Sequence, residues 1–323
     1  MHVSSRLIVA VLLAVVAAAP ASAQTKLKWA HVYETSEPFH KWSVWAAQEI
    51  EKRTSGKYHI DVFPASTLGK ESDINQGLAL GTVDMIISGL SFAARTMPRI
   101  GVGYYPYTFR DGDHLIKWAK SDAFKQMTDE YRQKTGIQIT AMTYYGTRQT
   151  TSNKPFNDCA GMKGLKMRVP DVPAYLALPR ACGANPTPIA FAEVYLALQN
   201  GTVDAQENPL TTIEAKKFYE VQKAIILTGH IVDSLATQIA PHVWNKLSDP
   251  EKKIFTDVTQ EAAAKATADI TKHETELAEE FKKKGLQIID PDKKSFQAAI
   301  QKSITLESMG YSKADWDKIQ AIK

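Results

Sequence analysis

The chain has 323 residues, and its 39 Lys and Arg residues against 35 Asp and Glu residues give a formal charge of +4. Its basic residues form no dense block, which argues against nucleic-acid binding as its function. A chain of this length exceeds what one hydrophobic core usually supports, so two domains are expected.

The first 23 residues have the pattern of a secretory signal. A basic residue, Arg6, precedes an apolar run over residues 7–19, and Ala21-Ser22-Ala23 supplies the small residues of a cleavage site. Spanning a bilayer takes about 20 apolar residues, so a cleaved signal is favoured over a membrane anchor. We therefore expect a mature protein that begins near Gln24 and is exported to the periplasm.

The start of the mature chain predicts a strand followed by a helix. Leu27, Trp29 and His31 alternate with polar residues, as in a half-buried strand. Ser36 is placed to cap the helix that follows. The apolar stripe of this helix has helical spacing and comprises Phe39, Trp42, Ala46 and Ile50.

The next segment continues the alternation of strand and helix. A strand containing Ile60 and Val62 is closed by Pro64, and a short helix then turns at Gly81 into a strand over residues 83–87. This order is typical of α/β domains with mostly parallel sheets.

A short motif occurs twice. Residues 78–84, LALGTVD, recur with two inserted residues as LALQNGTVD at 196–204. Each copy predicts the end of a helix, a glycine turn and the start of a strand. The spacing of 120 residues between Asp84 and Asp204 suits two domains of the same topology.

The segments after the two copies are expected to face one cleft, because ligands bind beyond the carboxyl ends of parallel strands. These segments are residues 88–91 in the first half and 206–209 in the second. Two such domains form a hinged clamp.

Two arginines and one asparagine are candidates to bind an anion in this cleft. Arg168 lies at the end of a predicted strand, Arg148 lies in a polar strand suited to cross between the domains, and Asn208 follows the second copy of the motif. A guanidinium matches a carboxylate bidentately. Spacing alone favours the alternative that these arginines form surface salt bridges.

Cys159 and Cys182 flank a predicted strand and the helix after it, so both lie at one end of that unit. An exported protein can form a disulfide there, although two buried thiols remain the alternative.

Several long motifs resemble the DctP-type solute receptors of tripartite ATP-independent periplasmic (TRAP) transporters. The similarity covers nearly the whole mature chain and is strongest from Gly146 to Lys223, where it is closest to the sialic-acid-binding branch. The motifs that carry it are GTRQTTSN at 146–153, MKGLKMRVP at 162–170, FAEVYLAL at 191–198, VDAQENP at 203–209 and KFYEVQK at 217–223.

The resemblance implies roles for five residues. Arg168 corresponds to the arginine that clamps the ligand carboxylate, Arg148 to a second arginine of the sugar-acid branch, and Asn208 to a supporting amide. Phe191 corresponds to an aromatic residue packed on the ligand, and Asp171 to a polar contact after the strand.

The resemblance also implies a two-domain α/β periplasmic binding protein. It has crossover strands and a long C-terminal helix, here residues 250–284, that spans both domains. Domain I would comprise residues 24–144 plus 233–272, and domain II residues 145–232 plus 273–323, with crossings near Tyr145, Val232 and Lys272.

The first half departs from the sialic-acid pattern, because Gly89 stands where that branch has an acidic side chain. A uronate, an aldonate or another hydroxy or keto acid is therefore expected before sialic acid or a C4-dicarboxylate. Glu71 could instead stabilise a helix N-terminus, and His31 could be a core histidine. The residues of the first half predicted to contact the distal end of the ligand, away from its carboxylate, are His31, Tyr33, Glu71, Ser88 and Ser91.

Other prominent residues are interpreted as scaffold. Glu193 could be an acid of the binding pocket, but it is expected to bind backbone amides at a helix start. Trp42, Trp45 and Trp118 are expected to lie in the core. Glu207 is followed by Asn208, where metal-binding relatives have Trp, so neither metal nor cofactor is expected.

The expected partners are a small organic acid and the small and large membrane subunits of a TRAP transporter, with the receptor itself a monomer. The alternative from a different class is an exported α/β enzyme such as a hydrolase. The chain contains no Gly-x-Ser-x-Gly, His-Glu-x-x-His or phosphate-loop motif, which argues against an enzyme.

Overall fold

The computed structural model describes residues 24–323, and the predicted signal lies outside the described residues. Strands and helices alternate along most of this part of the chain. The strands are β1 (Thr25–Ala30), β2 (Tyr58–Phe63), β3 (Met85–Gly89), β4 (Gln138–Ser152), β5 (Lys166–Val169), β6 (Asn185–Pro188), β7 (Ala205–Pro209), β8 (Ala224–Ile226), β9 (Val232–Ile239) and β10 (Gln287–Ile289).

The helices pack against the strands. They are α1 (Pro38–Arg53), α2 (Glu71–Leu80), α3 (Leu90–Ala93), α4 (Gly112–Ala119), α5 (Asp122–Thr135), α6 (Ala177–Ala181), α7 (Val194–Gln199), α8 (Leu210–Ala215), α9 (Pro241–Trp244), α10 (Asp249–Lys283), α11 (Lys293–Ser303) and α12 (Lys313–Gln320).

The two halves repeat one βαβαβ unit, as the duplicated motif predicted. The strand order is β2-β1-β3 in the first unit and β6-β5-β7 in the second, with parallel pairing in both. The motif's two aspartates occupy equivalent positions. Asp84 Oδ2 accepts a hydrogen bond from the backbone N–H of Lys28 at 2.7 Å, and Asp204 Oδ2 accepts one from Lys166 at 3.1 Å.

Two long strands connect the halves and make the sheets mixed. Residues 138–147 of β4 pair antiparallel with β9, whereas residues 148–152 pair antiparallel with β7. Strand β9 also pairs antiparallel with β3. The prediction of mostly parallel sheets was therefore incomplete, because polar strand β4 gives no sequence sign of its direction.

Helix α10 contacts both halves, as expected for the long C-terminal helix. A capping box formed by Ser248 and Glu251 begins it. Glu261 pairs with Arg53 of α1 at 2.8 Å, and further along His273 lies 2.6 Å from Glu214 of α8. The division of the chain into domains at the residues named above stays a prediction.

Some local predictions need correction. Helix α1 begins one residue later than a Ser36 cap would place it, with Glu37 at the N-cap and Pro38 in the first turn. Proline is pre-organised for that position, so it sets the start. Trp118 is buried, whereas Trp42 and Trp45 are half-buried and lie beneath the Lys265 ammonium at 5.0 and 5.2 Å.

Cys159 and Cys182 form a disulfide, with their Cα atoms 4.9 Å apart. The two cysteines are therefore bridged, and the alternative of two buried thiols, which the sequence left open, does not apply. The bond ties the segment before β5 to the end of α6, so it braces the strand that carries Arg168.

Candidate functional site

The site is a buried cavity between the ends of the two repeated units. It leaves about 20 Å³ for the centres of water molecules, which is room for about one or two waters. Both units and the connecting strand β4 contribute to its walls. The lining residues are Val32, Tyr33, Glu71, Gly89, Phe92, Tyr145, Arg148, Arg168, Pro170, Tyr175, Phe191 and Asn208.

Arg168 has an unpartnered donor in this cavity. Its side chain is buried, and Nε and Nη2 both donate to the carbonyl of Ile189, at 2.9 and 2.8 Å. Nη1 is buried without a hydrogen-bond partner among the described residues. Burial lowers the pKa of Arg168 to about 10, so the group remains a cation at neutral pH. A buried, charged and unpaired donor is costly unless an anion satisfies it.

Arg148 also lines the cavity, but its donors are occupied by protein acceptors. Nε and Nη2 bind the carboxylate of Glu207, and Nη1 donates to Asp233 Oδ2 at 2.8 Å. His230 Nε2 lies 3.2 Å from Glu207 Oε2, the oxygen that also accepts from Arg148 Nε. Although burial acts to raise it, the pKa of Glu207 lies below its ordinary value because Arg148 and His230 stabilise the carboxylate.

Asn208 is held beside the two arginines. Its side-chain amide donates to Gln206 Oε1 at 2.6 Å, and its oxygen accepts from Arg148 Nη2 at 3.2 Å. Phe191 lies over Arg168, with the guanidinium carbon 6.0 Å from the ring centre. The carboxyl ends of β5 and β7 and the turn after β6 thus bring three of the predicted binding residues, Arg168, Asn208 and Phe191, together at one wall.

Glu71 is the acidic group of the opposite wall. Its Oε1 accepts from the backbone N–H of Gly89 and from the hydroxyl of Ser88, both at 2.9 Å. Burial raises the pKa of Glu71. Glu71 of α2 therefore places a carboxyl group beside Gly89, the position at which this sequence has no acidic side chain and the sialic-acid branch has one.

The remaining first-half candidates have different positions. Tyr33 lines the cavity and packs against Tyr145, with ring centres 5.3 Å apart. His31 lies outside the lining, stacked behind Tyr33, and burial lowers its pKa to about 3, so it is a neutral core histidine. Ser88 and Ser91 are buried and lie behind the lining; Ser91 donates to the Tyr175 hydroxyl at 3.1 Å.

A wider cavity, here called the outer mouth, adjoins the buried cavity, and Arg168 and Phe191 line both. Asp171 and Glu193 line only the outer mouth. Asp171 is exposed and pairs with Arg95 at 2.8 Å, so it closes the rim between the halves. Glu193 makes no capping bond at the start of α7. The expected backbone contact of Glu193 is therefore wrong, because its side chain turns towards the mouth.

Several buried polar residues were not predicted to belong to the site. Burial itself is the missing signal, because Glu, Asp and Tyr at these positions look like ordinary surface residues in the sequence. These residues are Glu37, Tyr145, Tyr175 and Asp233.

Glu37 joins the halves behind the aromatic wall. Its Oε1 accepts from the Thr212 hydroxyl of α8 at 2.7 Å, and Oε2 accepts from the backbone N–H of Glu34 at 2.8 Å. Glu34 in turn pairs with Lys216 at 2.7 Å. Burial raises the pKa of Glu37 to about 7.

We expect Glu37 to make the folded protein less stable as the pH rises. The folded form prefers the protonated acid, so its contribution is complete below the unfolded pKa of 4.5 and is lost as the pH rises through about 7. A shift of this size corresponds to about 3 kcal/mol. Urea unfolding of the wild type and of Glu37→Gln at a series of pH values measures this contribution.

The difference between the two proteins isolates Glu37, because the raised pKa values of Glu71 and Asp233 and the lowered pKa of His31 act in both. Glu37→Gln should gain stability relative to the wild type as the solution becomes more alkaline. Two stability curves that stay parallel across this range would contradict the assignment.

The duplicated units, the connecting strands and the buried cation between them define a solute-binding protein of the clamp type. The model of the bacterial extracellular solute-binding protein family 7, DctP, matches residues 29–308. The chain belongs to this family, whose members are periplasmic receptors rather than enzymes. Among residues 24–323, no helix is both long enough and apolar enough to cross a membrane.

Individual relatives agree with this assignment. The sialic acid-binding periplasmic protein SiaP of Vibrio cholerae is 36% identical over 285 residues, which cover 88% of this chain and 89% of SiaP. A TRAP solute-binding protein from Polaromonas sp. JS666, bound to D-erythronate, superposes with a TM-score of 0.87 at 30% identity and covers 93% of this chain and 99% of its own. One from Roseobacter denitrificans, with bound L-galactonate, gives 0.85 at 31%, covering 93% and 98%.

Proposed function

We propose that this protein is the periplasmic receptor of a TRAP transporter and that it binds a sugar acid of the aldonate or uronate type. The observation that carries the proposal is the buried Arg168, whose Nη1 has no partner among the described residues and whose side chain lines the cavity. A ligand carboxylate would supply the missing acceptor. Phe191 would cover the bound group, and Asn208 would contribute an amide.

The opposite wall favours hydroxyl groups over a second carboxylate. Glu71 lines that wall, and its carboxylate would repel another anion but accept hydrogen bonds from hydroxyls. Arg148 cannot compensate a second anion without giving up Glu207 or Asp233. A hydroxy acid therefore fits the charges better than a C4-dicarboxylate does.

The named ligands of the relatives support the same class. Sialic acid, D-erythronate and L-galactonate each have a carboxylate beside an oxygen-bearing carbon. A ligand held on Arg168 would draw the two halves together, and the closed form would be the one presented to the small and large membrane subunits. We propose a monomeric receptor that releases its ligand unchanged, and domain boundaries at the crossings predicted from the sequence.

A thermal-shift screen tests this function. The mature protein is unfolded and refolded to remove carried ligand, and its melting temperature is measured with aldonates, uronates, keto acids, sialic acid and succinate. A ligand at about 100 times its Kd stabilises the folded state by about 2.7 kcal/mol, which raises the melting temperature by several degrees.

Each acid has a matched neutral compound, such as erythritol for erythronate and galactitol for galactonate. We expect a shift with one or more sugar acids and none with the corresponding polyols. Equal shifts with acid and polyol, or no shift with any acid, would contradict carboxylate binding. Turnover of the bound acid would instead identify an enzyme.

A further inference from the structure

Lys216 lies behind the cavity, at a place where the two halves meet. It directly follows α8 of the second half. Its ammonium is 2.7 Å from the carboxylate of Glu34, which lies between β1 and α1 of the first half. The same ammonium lies over the ring of Phe191, 5.2 Å from the ring centre. Lys216 therefore links a carboxylate of one half to an aromatic wall residue of the other.

This ion pair lies next to the aromatic lining of the cavity. Tyr33, the neighbour of Glu34 in the chain, lines the cavity, and its ring centre is 6.3 Å from that of Phe191. Phe191 in turn lies over Arg168. Because Tyr33 and Phe191 come from different halves, closing over a ligand brings their rings together and places Glu34 beside Lys216.

The ion pair between Arg95 and Asp171 also joins the halves, but it is more exposed. Its side chains are 38% and 69% exposed, whereas those of Lys216 and Glu34 are 14% and 30% exposed. Water and salt screen an exposed pair, so such a pair contributes little. Glu34 is also held in place, because its backbone N–H donates to Glu37 Oε2 at 2.8 Å. The pair of Glu34 and Lys216 should therefore hold the halves together more strongly than the pair at the rim.

We propose that Glu34 and Lys216 form a latch that holds the halves closed over the bound sugar acid and sets the rate of its release. Neither residue lines the cavity, so both are positioning residues that act through Tyr33 and Phe191. This inference rests on the proposed function, because it requires a ligand that draws the halves together. A ligand binds while the halves are apart and the latch is broken, whereas release requires the latch to break. Its loss should therefore change koff more than kon.

Two substitutions remove the two charges of the latch separately. Lys216→Met keeps much of the length of the side chain, and Glu34→Gln leaves the lysine over Phe191 in place. Stopped-flow measurements give kon and koff of D-erythronate and L-galactonate for each purified, ligand-free protein. Each substitution should raise koff about fivefold to tenfold and leave kon within about twofold of the wild type. The double variant should release the acid no faster than the faster single variant, because one interaction is lost only once.

Arg95→Met is the matched control, because it removes the more exposed ion pair between the halves. It should raise koff less than about threefold. If Lys216→Met raises koff no more than Arg95→Met does, the latch is overturned. Wild-type release rates in Glu34→Gln would also overturn it, since Lys216 would then act through Phe191 alone.

The melting temperature of the ligand-free protein distinguishes a latch from a residue that only stabilises the fold. The latch is broken when the halves are apart, so Lys216→Met and Glu34→Gln should melt as the wild type does without ligand and should show a smaller ligand-induced shift. A melting temperature that falls equally with and without ligand would overturn the proposal. If the wild type binds no sugar acid in the thermal-shift screen, the proposed function itself fails, and the latch fails with it.

Discussion

Arg168→Ala will lower the affinity for the carboxylate ligand by about 100-fold or more. A hydrogen bond to a charged group contributes about 1.5–3 kcal/mol, and about 2.7 kcal/mol corresponds to a factor of 100 in Kd. The unpartnered Nη1 of Arg168 offers one such hydrogen bond directly. The charge of the guanidinium also attracts the ligand carboxylate. Calorimetric titration of the stripped protein with the best acid from the screen measures the loss.

The ligand-free protein should behave differently from the complex. Arg168 is buried, and burial lowers its pKa, so the fold already bears the cost of holding this cation. Removing it should leave the melting temperature of the free protein unchanged or higher, while the ligand-induced shift disappears. A structural residue would show the opposite pattern, since its loss would lower the melting temperature with or without ligand.

Two further variants serve as controls for Arg168. Arg168→Lys keeps the charge but loses the planar fork, so it should also bind at least about tenfold more weakly. Arg180→Ala removes an exposed arginine from α6 in the same half and should bind as the wild type does. Wild-type affinity in Arg168→Ala would rule out Arg168 as the anchor of the carboxylate.

Arg148→Met will destabilise the fold by about 3–5 kcal/mol, because breaking a buried ion pair leaves uncompensated charge inside the protein. Glu207 and Asp233 are both fully buried, and Arg148 binds both carboxylates. Methionine retains much of the length of the side chain, so loss of volume contributes little. Urea unfolding at neutral pH measures the free energy of unfolding.

The buried network can be distinguished from an ordinary ion pair by comparison with Arg53. That residue makes a two-pronged pair with Glu261 on the surface, and Arg53→Met should cost no more than about 1 kcal/mol. The triple variant Arg148→Met, Glu207→Gln, Asp233→Asn removes the unpaired charges and should recover part of the lost stability. A loss of less than about 1 kcal/mol in Arg148→Met would contradict this account.

The sequence by itself determined the repeated units and the strands that carry the arginines. These features depend on patterns within short stretches of chain: apolar periodicity, glycine at Gly81 and Gly201 in the left-handed region, and the duplicated aspartate. Such patterns act locally, so they can be read before the distant parts of the chain are placed. The resemblance to the family added the long C-terminal helix and the role expected for Arg168 as the residue that binds the ligand carboxylate.

Only the tertiary structure decided how the charged groups pair. Arg148 could have bound a ligand or a protein carboxylate, and it binds Glu207 and Asp233, the latter 85 residues away along the chain. Asp171 follows Arg168 closely in sequence yet lies at the rim with Arg95. Local sequence determines which strand or helix carries a side chain. The group that this side chain pairs with depends on the packing of segments that are distant along the chain.

Burial was equally invisible in the sequence. Glu37 and Tyr175 have ordinary polar side chains, and nothing within their own helix or turn marks them as part of the interface between the halves. Their contacts with Thr212 and Ser91 arise because α8 and α3 are brought to them by the crossing strands. The physical reason is that desolvation depends on everything packed around a group, and most of that surrounding comes from elsewhere in the chain.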